Sequence, residues 1–244
     1  MDKQQVIFED LGTMEYQKAW DYQEKLLQEN VHVKTLLREQ QTVAADSQLG
    51  TDDSLFTKHH FLLVEHPPVY TLGKSGDIGN VLISDEMRTK KGIEFFRTNR
   101  GGDITFHGPG QIVGYPVLDL EKFYTDIGKY LRSIEEVIIL TLADYGIRGD
   151  RSTGETGVWI DPSIKGKERK ICAIGVRSSR WVTMHGFALN VNTDLNYFNF
   201  IVPCGIVDKQ VTSMEKELGR TLDFAEVKER VKINFEKVFD VELI

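Results

Sequence analysis

The sequence predicts a mixed α/β (α+β) fold in which helices pack on a mixed sheet, with residues 1–244 forming a single domain. Three observations support this prediction. Of the 244 residues, 41% are apolar and 27% are charged, which is the composition of a globular protein. Helix-like and strand-like segments are mixed without a regular βαβ rhythm. No Pro-rich or Gly/Ser-rich linker divides the chain.

Apolar residues at spacings of three and four predict three helices. The first begins near Thr13, and its apolar periodicity ends by about Leu37. The second begins after Asp126, a good N-cap, and ends near Gly146, which suits a C-cap. The third covers about residues 223–239 and has one apolar face.

Apolar runs of strand length fill much of the remaining sequence. They cover residues 60–66, 69–72, 93–97, 111–118, 157–160, 169–177 and 181–191. Residues 38–56 are polar and lack apolar periodicity, so we expect a polar surface loop or an insertion there.

Charge and cysteine content exclude several classes of protein. Thirty Lys and Arg against 37 Asp and Glu give a net charge of −7, which argues against a general nucleic-acid binder. No apolar run approaches the roughly 20 residues of a membrane span. The polar first residues do not resemble a signal peptide, and Cys172 and Cys204 cannot form a disulfide framework. We therefore expect a cytoplasmic protein with no nucleic-acid or membrane partner.

The segment at residues 100–111, RGGDITFHGPGQ, has an unusual composition. Four glycines, a proline, a cation and a histidine lie between two apolar strands. Glycines allow a ligand to approach the backbone, and clustered N–H groups can hold an oxyanion. A tight loop that only joins strands is the alternative. The phosphate-loop pattern G-x-x-x-x-G-K-[ST] is absent.

Cys204 lies between Pro203 and Gly205, in a rigid turn that suits the presentation of a side chain to a cleft. A thiol there would be a nucleophile once ionised, and a small packed side chain is the alternative. Cys172 lies within a run typical of a buried strand, so we interpret it as a core residue.

Lys170 opens that same strand. Strand alternation predicts that Lys170, Cys172 and Ile174 share one face. A lysine beside Cys204 would lower the pKa of the thiol, but 204 − 170 = 34 residues separate the two. A lysine at the exposed edge of a strand is the alternative.

Other patterns are weaker or absent. Gly186 interrupts a strand-like run, which indicates either a bulge or a close approach to a ligand. His59, His60 and His66 lack the spacing of metal ligands, and no G-x-G-x-x-G or G-x-S-x-G pattern occurs. We expect no metal and no cofactor.

Four segments in this order resemble the lipoyl(octanoyl) transferases, the LipB family: RGGDITFHGPGQ at 100–111, KICAIG at 170–175, HGFALNV at 185–191 and PCGI at 203–206. The segment EHPPVYTLG at 65–73 is also similar, and the match runs from about residue 58 to about residue 215.

The resemblance implies the catalytic fold of the biotin/lipoate protein ligases. It also implies transfer of an octanoyl group from acyl carrier protein to a lysine of a lipoyl domain. The implied acceptors are the lipoyl domains of 2-oxoacid dehydrogenase complexes and the glycine cleavage H protein. By the same resemblance, Cys204 accepts the acyl group and Lys170 is paired with it. The acyl-substrate contacts it implies are Arg100, Gly101, Gly102, Asp103, Ile104, Thr105, Phe106, His107, Ala173, Ile174, Gly175, Gly186, Phe187 and Ala188.

In this chemistry Lys170 either favours the thiolate as a cation or accepts a proton as a neutral amine, and the sequence leaves both open. Phe187, Ile174 and Tyr115 are candidate walls of an apolar slot for the acyl chain. Because acyl carrier proteins are acidic, we also expect a basic rim on the surface of this chain. Its candidates are Lys165, Lys167, Arg169, Arg177 and Arg180.

Three other functions remain open at this point. An ATP-dependent lipoate-protein ligase would share the fold and would not need the Cys204 thiol. A thiol amidase or protease would use His107 or His185 as the base for Cys204. A non-catalytic module would bind an acyl group or a lipoyl domain without forming an acyl-Cys204 adduct.

Overall fold

The computed structural model of the chain describes residues 3–46, 55–202 and 210–244. The strands are β1 (Gln4–Thr13), β2 (His59–Glu65), β3 (Val69–Leu72), β4 (Glu94–Arg97), β5 (Ile104–His107), β6 (Gln111–Val117), β7 (Asp150–Arg151), β8 (Val158–Ile160), β9 (Arg169–Ser179), β10 (Val182–Asn190), β11 (Gln210–Val211) and β12 (Val241–Leu243). The α-helices are α1 (Tyr16–Asp46), α2 (Asp85–Lys90), α3 (Ile127–Asp144), α4 (Met214–Leu218) and α5 (Phe224–Phe239). Short 3₁₀ helices cover Ile78–Asn80, Leu120–Lys122 and Leu195–Phe200.

The strands form two sheets. The larger has the order β12-β1-β2-β6-β10-β9-β8-β7, and β11 pairs with β9 outside this path. Strand β1 is parallel to both β12 and β2, β11 is parallel to β9, and the other pairs are antiparallel. The smaller sheet has the order β4-β3-β5. The predicted mixed sheet is therefore confirmed.

Helices cover both faces of the large sheet, and strand alternation decides which residues each face buries. On β2, Phe61 and Leu63 pack with α3 and α5, where the ring centroids of Phe61 and Phe235 lie 4.0 Å apart. Leu62 and Val64, the alternate residues, pack with α1 on the opposite face. The sheet is thus buried between two apolar layers. Among the described residues, no helix combines the length and the apolar character of a membrane span.

The two later helices form as predicted. Asp126 is the N-cap of α3 and accepts a hydrogen bond from the Lys129 amide. Asp223 is the N-cap of α5, where it accepts from two amides of the first turn. Gly146, just after α3, has a φ of 76°, which glycine adopts at little cost.

The polar loop predicted for residues 38–56 is wrong for residues 38–46, because α1 continues to Asp46. Arg38, Glu39 and Gln40 favour helix but carry no apolar stripe. Arg38 and Glu39 are exposed, so the sequence has no apolar periodicity that would predict helix at this end of α1. Residues 47–54 lie outside the described residues.

The sequence analysis missed five strands, β1, β5, β7, β11 and β12. In β1 only Val6 is fully buried, so the apolar alternation of this outer strand is faint. Strand β5 lies within the glycine-rich segment 100–111, which was interpreted as a connection between strands. Its antiparallel pairing with β3 builds the small sheet.

Candidate active site

A cavity lies between the large sheet, the small sheet and the first turn of α1. The predicted acyl contacts that line it are Arg100, Gly102, Asp103, Ile104, Thr105, His107, Ala173, Ile174, Gly175, Gly186, Phe187 and Ala188. Lys170 also lines it, as do Tyr115 and Tyr16. Segments far apart in the sequence therefore meet here, and the three candidate walls Phe187, Ile174 and Tyr115 all border the same space.

Two predicted acyl contacts, Gly101 and Phe106, do not border the cavity. Alternation along β5 turns Thr105 and His107 towards the cavity and Phe106 into the core of the small sheet. There the Phe106 ring stacks on Tyr197, with centroids 4.5 Å apart. The Gly101 amide donates to the Val176 carbonyl at 3.0 Å, which joins the glycine-rich segment to β9.

A continuous series of buried hydrogen bonds runs along the cavity wall. We call this series the buried hydrogen-bond chain. Its members are Thr212, Asn190, Gln111, His107, Thr71 and Arg100. At one end Asn190 Nδ2 donates to the Thr212 carbonyl at 3.0 Å. At the other end Arg100 Nη2 donates to Thr71 Oγ1 at 2.9 Å. All six residues are buried, so each bond is shielded from water.

The hydrogen-bond chain fixes the tautomer of His107. Gln111 Nε2 donates to two oxygens, Phe106 O at 3.1 Å and Asn190 Oδ1 at 2.8 Å. Gln111 Oε1 must therefore accept, and His107 Nδ1 donates to it at 2.9 Å. Burial holds the pKa of His107 well below its usual value. The ring is neutral, and its Nε2 lone pair faces the Thr71 hydroxyl at 3.4 Å.

Two further histidines beside the cavity are also neutral. His66 Nδ1 donates to the Met14 carbonyl at 2.7 Å, so its Nε2 accepts from the Tyr115 hydroxyl at 2.8 Å. Burial lowers the pKa of His66 to about 4. His185 Nε2 lies 2.7 Å from Asn99 Oδ1, and burial lowers the pKa of His185 to about 3. These rings position their neighbours and are weak bases.

Lys170 reaches the cavity because β9 carries a bulge. Val158 pairs with Cys172, whereas Trp159 pairs with Lys170, so Ile171 is an extra residue in the ladder. Ile171 and Cys172 are both fully buried in the main core, and Lys170 turns to the cavity face. The prediction that Lys170 and Cys172 share a face is therefore wrong, because the bulge breaks the alternation. The core assignment of Cys172 is confirmed, and burial raises the pKa of its thiol.

Cys204 and the rest of PCGI at 203–206 lie outside the described residues. The described residues on either side are both hydrogen-bonded or paired to neighbouring elements. Before the gap, the Val202 amide donates to the Asn80 carbonyl at 2.8 Å. After the gap, Val211 pairs with Lys170 and lines the cavity.

Comparison with known proteins identifies the family. A model of the lipoyl protein ligase A/B catalytic domain matches residues 15–236. An octanoyltransferase of Christiangramia forsetii is 54% identical over 96% of this chain and 95% of its own length. One of Flavobacterium psychrophilum is also 54% identical, over 97% of each chain. The chain belongs to the lipoyl protein ligase A/B family, among its octanoyltransferases. It is a transferase enzyme, and the resemblance seen in its motifs is confirmed.

The fold of this octanoyltransferase family member is also found among solved structures. A lipoate protein ligase of Thermoplasma acidophilum superimposes with a TM-score of 0.65 at 17% identity. The superposition covers 100% of this chain and 86% of that one. The expected ligase-like catalytic fold is therefore confirmed.

Two residues of the predicted basic rim of this transferase are paired with carboxylates. Arg169 opens β9 and Arg177 lies near its end, so about 26 Å of strand separates them. Arg169 binds Asp161 and Glu217, each at 2.6 Å. Arg177 binds Glu24 of α1 at 2.7 Å. Carboxylates thus compensate two of the five predicted charges.

A buried carboxylate supports the wall next to Lys170. Glu135 of α3 is fully buried and binds Arg132 at 2.6 Å and Arg151 at 3.1 Å. Its second oxygen, Oε1, accepts from the Gly157 amide at 3.0 Å. Glu135 therefore links α3 to the turn that precedes β8.

We expect Glu135→Ala to reduce the free energy of unfolding by about 3 kcal/mol, because it leaves the buried Gly157 amide without its acceptor and removes the carboxylate that Arg132 and Arg151 share. Both arginines are partly exposed, so the loss lies at the lower end for buried ion pairs. Glu135→Gln keeps an acceptor for Gly157 and should cost less. Urea unfolding measures both, and an alanine variant as stable as wild type would contradict this role.

Proposed function

We propose that this enzyme moves an octanoyl group from the thioester of an acyl carrier protein, through Cys204, to a lysine of a lipoyl domain. The observation that carries the proposal is the bulge in β9, which turns Lys170 into a cavity lined by the motif segments. Val211, the second residue after the Cys204 segment, pairs with Lys170 on that same wall. The octanoyltransferase names of the relatives agree with this reaction.

The cavity offers an apolar surface for the acyl chain. Ile174, Phe187 and Ala188 line it together with Val113. Burial of a methylene group contributes about 0.8 kcal/mol, so an eight-carbon tail gains several kcal/mol there. The acyl chain then holds its carbonyl carbon near Lys170, which lines the same cavity.

Two acyl transfers complete the proposed reaction. In the first, the Cys204 thiolate attacks the thioester carbonyl, the bond to the carrier sulfur breaks, and the carrier thiolate leaves. Because one thioester replaces another, the free-energy change of this step is close to zero, and the step needs no ATP. In the second, the neutral amine of the acceptor lysine attacks acyl-Cys204, its nitrogen releases one proton to solvent, and the Cys204 thiolate leaves. The amide product is more stable than the thioester, which drives the cycle forward.

The proposed acceptors are the lipoyl domains of 2-oxoacid dehydrogenase complexes and the glycine cleavage H protein. We further propose that residues 1–244 act as one catalytic domain. The match of one family model to residues 15–236 supports this proposal.

Intact-protein mass spectrometry after incubation with octanoyl carrier protein tests the proposal. Wild type should gain the mass of one octanoyl group, and hydroxylamine should remove it, since thioesters are labile to this reagent. Cys204→Ala should gain nothing. Cys172→Ala is the matched control and should be acylated like wild type, because Cys172 is buried in the core.

Transfer to a lipoyl domain completes this test. Wild type should acylate the domain without ATP, whereas a ligase would require ATP and a thiol amidase would release free octanoate. Equal acylation of wild type and Cys204→Ala, or the absence of any adduct, would refute the proposal.

A further inference from the structure

Tyr16, in the first turn of α1, lines the cavity, and the sequence analysis assigned no role to it. The residue is only 2% exposed, because four aromatic rings surround it. The centroid of its ring lies 5.3 Å from those of His66 and Phe96, 5.9 Å from that of His107 and 6.1 Å from that of Trp20. Packing against rings of α1, of the small sheet and of the residue that follows β2 therefore fixes the position of this side chain.

The Tyr16 hydroxyl forms no hydrogen bond within the described part of the chain. Its polar neighbours are paired with other groups, since Tyr115 Oη donates to His66 Nε2 at 2.8 Å and both ring nitrogens of His107 face partners in the buried hydrogen-bond chain. Protein atoms do not seal the Tyr16 oxygen off completely, so it faces the cavity that the residue lines. Burial raises the pKa of Tyr16 to about 12, so the hydroxyl keeps its proton at neutral pH and can donate it.

Tyr16 and Lys170 bound opposite sides of the cavity. Lys170 lies on β9, whereas Tyr16 packs on the residue that follows β2, and β6 and β10 separate these two strands in the sheet. A row of small apolar residues crosses the floor between them, with Ala173 of β9 opposite Ala188 of β10, and Ala188 opposite Val113 of β6. Each strand spacing is about 4.8 Å, so the row covers about 10 Å, which is close to the length of an extended eight-carbon chain.

An acyl tail that follows this row ends at Tyr16, because the proposed function places the acyl carbonyl on the Lys170 side. The terminal methyl of an octanoyl group cannot form a hydrogen bond with the Tyr16 hydroxyl. A hydroxyl on the terminal carbon can, since it carries both a donor and an acceptor. A buried polar group without a partner is costly, so a ligand atom that supplies the partner gains affinity.

We propose that Tyr16 forms a polar subsite at the tail end of the cavity, and that the enzyme accepts eight-carbon acyl groups with a hydroxyl on the terminal carbon. The inference rests on the proposed function, which sets the direction of the acyl chain. The tail hydroxyl stays unchanged in the reaction. The thioester bond breaks and the amide bond forms as for octanoyl, and no proton passes to or from Tyr16, which acts as a specificity-determining residue.

Binding of two uncharged amides tests the subsite without acyl transfer. 8-Hydroxyoctanamide and nonanamide have the same number of heavy atoms and differ in the terminal group alone. Calorimetry of wild type and Tyr16→Phe gives the ratio of the two affinities in each protein. We expect Tyr16→Phe to lower the affinity for the hydroxyamide relative to nonanamide by about threefold to tenfold, because one hydrogen bond is lost. The difference in hydrophobicity between the two ligands cancels in this comparison.

Tyr22→Phe is the matched control for this substitution. Tyr22 is a phenol of the same helix, but its hydroxyl donates to Glu9 at 2.9 Å and it does not border the cavity. It should keep the wild-type ratio of affinities, and thermal melts of both variants check the fold. A ratio that is the same in Tyr16→Phe as in wild type would overturn the inference.

Transfer from the carrier protein gives a second measurement. Wild type should move an 8-hydroxyoctanoyl group to the lipoyl domain, and its kcat/KM relative to a nonanoyl donor should fall in Tyr16→Phe by the same factor. Transfer of octanoyl without transfer of 8-hydroxyoctanoyl would overturn the inference and leave the proposed function intact. Loss of transfer from every donor would refute the proposed function and the transfer of hydroxylated groups with it, whereas the amide ratios would still decide whether Tyr16 is a polar subsite.

Discussion

A Gly186→Ala variant should lose most of its cavity structure and its transferase activity. A Cβ at Gly186 would lie 2.1 Å from the Gly114 carbonyl oxygen and 2.8 Å from Pro116 Cδ. Both atoms belong to β6, which is backbone-paired with β10 at the centre of the large sheet. No flexible side chain can move aside, so the two strands must separate. We expect a loss of about 3 kcal/mol or more in the free energy of unfolding, and a melting temperature lower by about 6–12 °C.

Gly101→Ala is the matched control for this prediction. A Cβ at Gly101 would contact only the Val176 carbonyl oxygen, at 3.5 Å, which is an ordinary van der Waals distance. Its melting temperature should stay within about 2 °C of wild type, as for most unstrained substitutions. Urea and thermal unfolding of both variants measure how much stability each substitution costs. If Gly186→Ala unfolds at the same urea concentration as Gly101→Ala, the close approach of β6 and β10 is not a constraint.

Acidification from pH 7 to pH 5 should destabilise the protein strongly. Burial is the largest cause that lowers the pKa values of five histidines, His59, His60, His66, His107 and His185. Because these pKa values are lowered, the folded protein binds fewer protons than the unfolded chain, whose histidines are protonated below about pH 6.5. The unfolded state then binds more protons, so stability falls as the pH falls. For His66, with a pKa of about 4, the loss at pH 5 is about 2 kcal/mol.

Urea unfolding at several pH values between 7 and 5 measures this effect. The slope of the unfolding free energy against pH gives the number of protons taken up on unfolding. His66→Gln should lower that number by about one near pH 5, because the Gln side chain does not titrate. A wild-type stability that is constant between pH 7 and pH 5 would show that these histidines are protonated in the fold.

The sequence predicted elements whose signals are local. Helices α3 and α5 combine an N-cap aspartate with strong apolar periodicity, and both form where predicted. Strand β1 and the end of α1 were missed because their side chains are largely exposed, so burial leaves no pattern in the residues. What stabilises β1 is pairing with β2 and with β12, and β12 lies at the far end of the chain.

At the site, the motifs named most of the cavity-lining residues but not their arrangement. Lys170 was assigned from KICAIG, yet strand alternation placed it on the wrong face, because one extra residue in the ladder cannot be read from a strand pattern. The closeness of Gly157 and Trp159 to the Lys170 side chain was missed for a related reason. Gly157 and Trp159 are typical of a short buried strand, and only the pairing across the bulge brings them to Lys170. A glycine two residues before a tryptophan, ahead of KICAIG, was the available signal.

The buried hydrogen-bond chain has a mechanical consequence for the cavity. It fastens one sheet to the other, since Thr71 and His107 belong to the small sheet and Gln111 and Asn190 to the large one. Separating the two sheets would leave several polar groups without hydrogen-bond partners, each at a cost of about 1–3 kcal/mol. The chain of hydrogen bonds therefore holds the walls of the cavity at a fixed spacing.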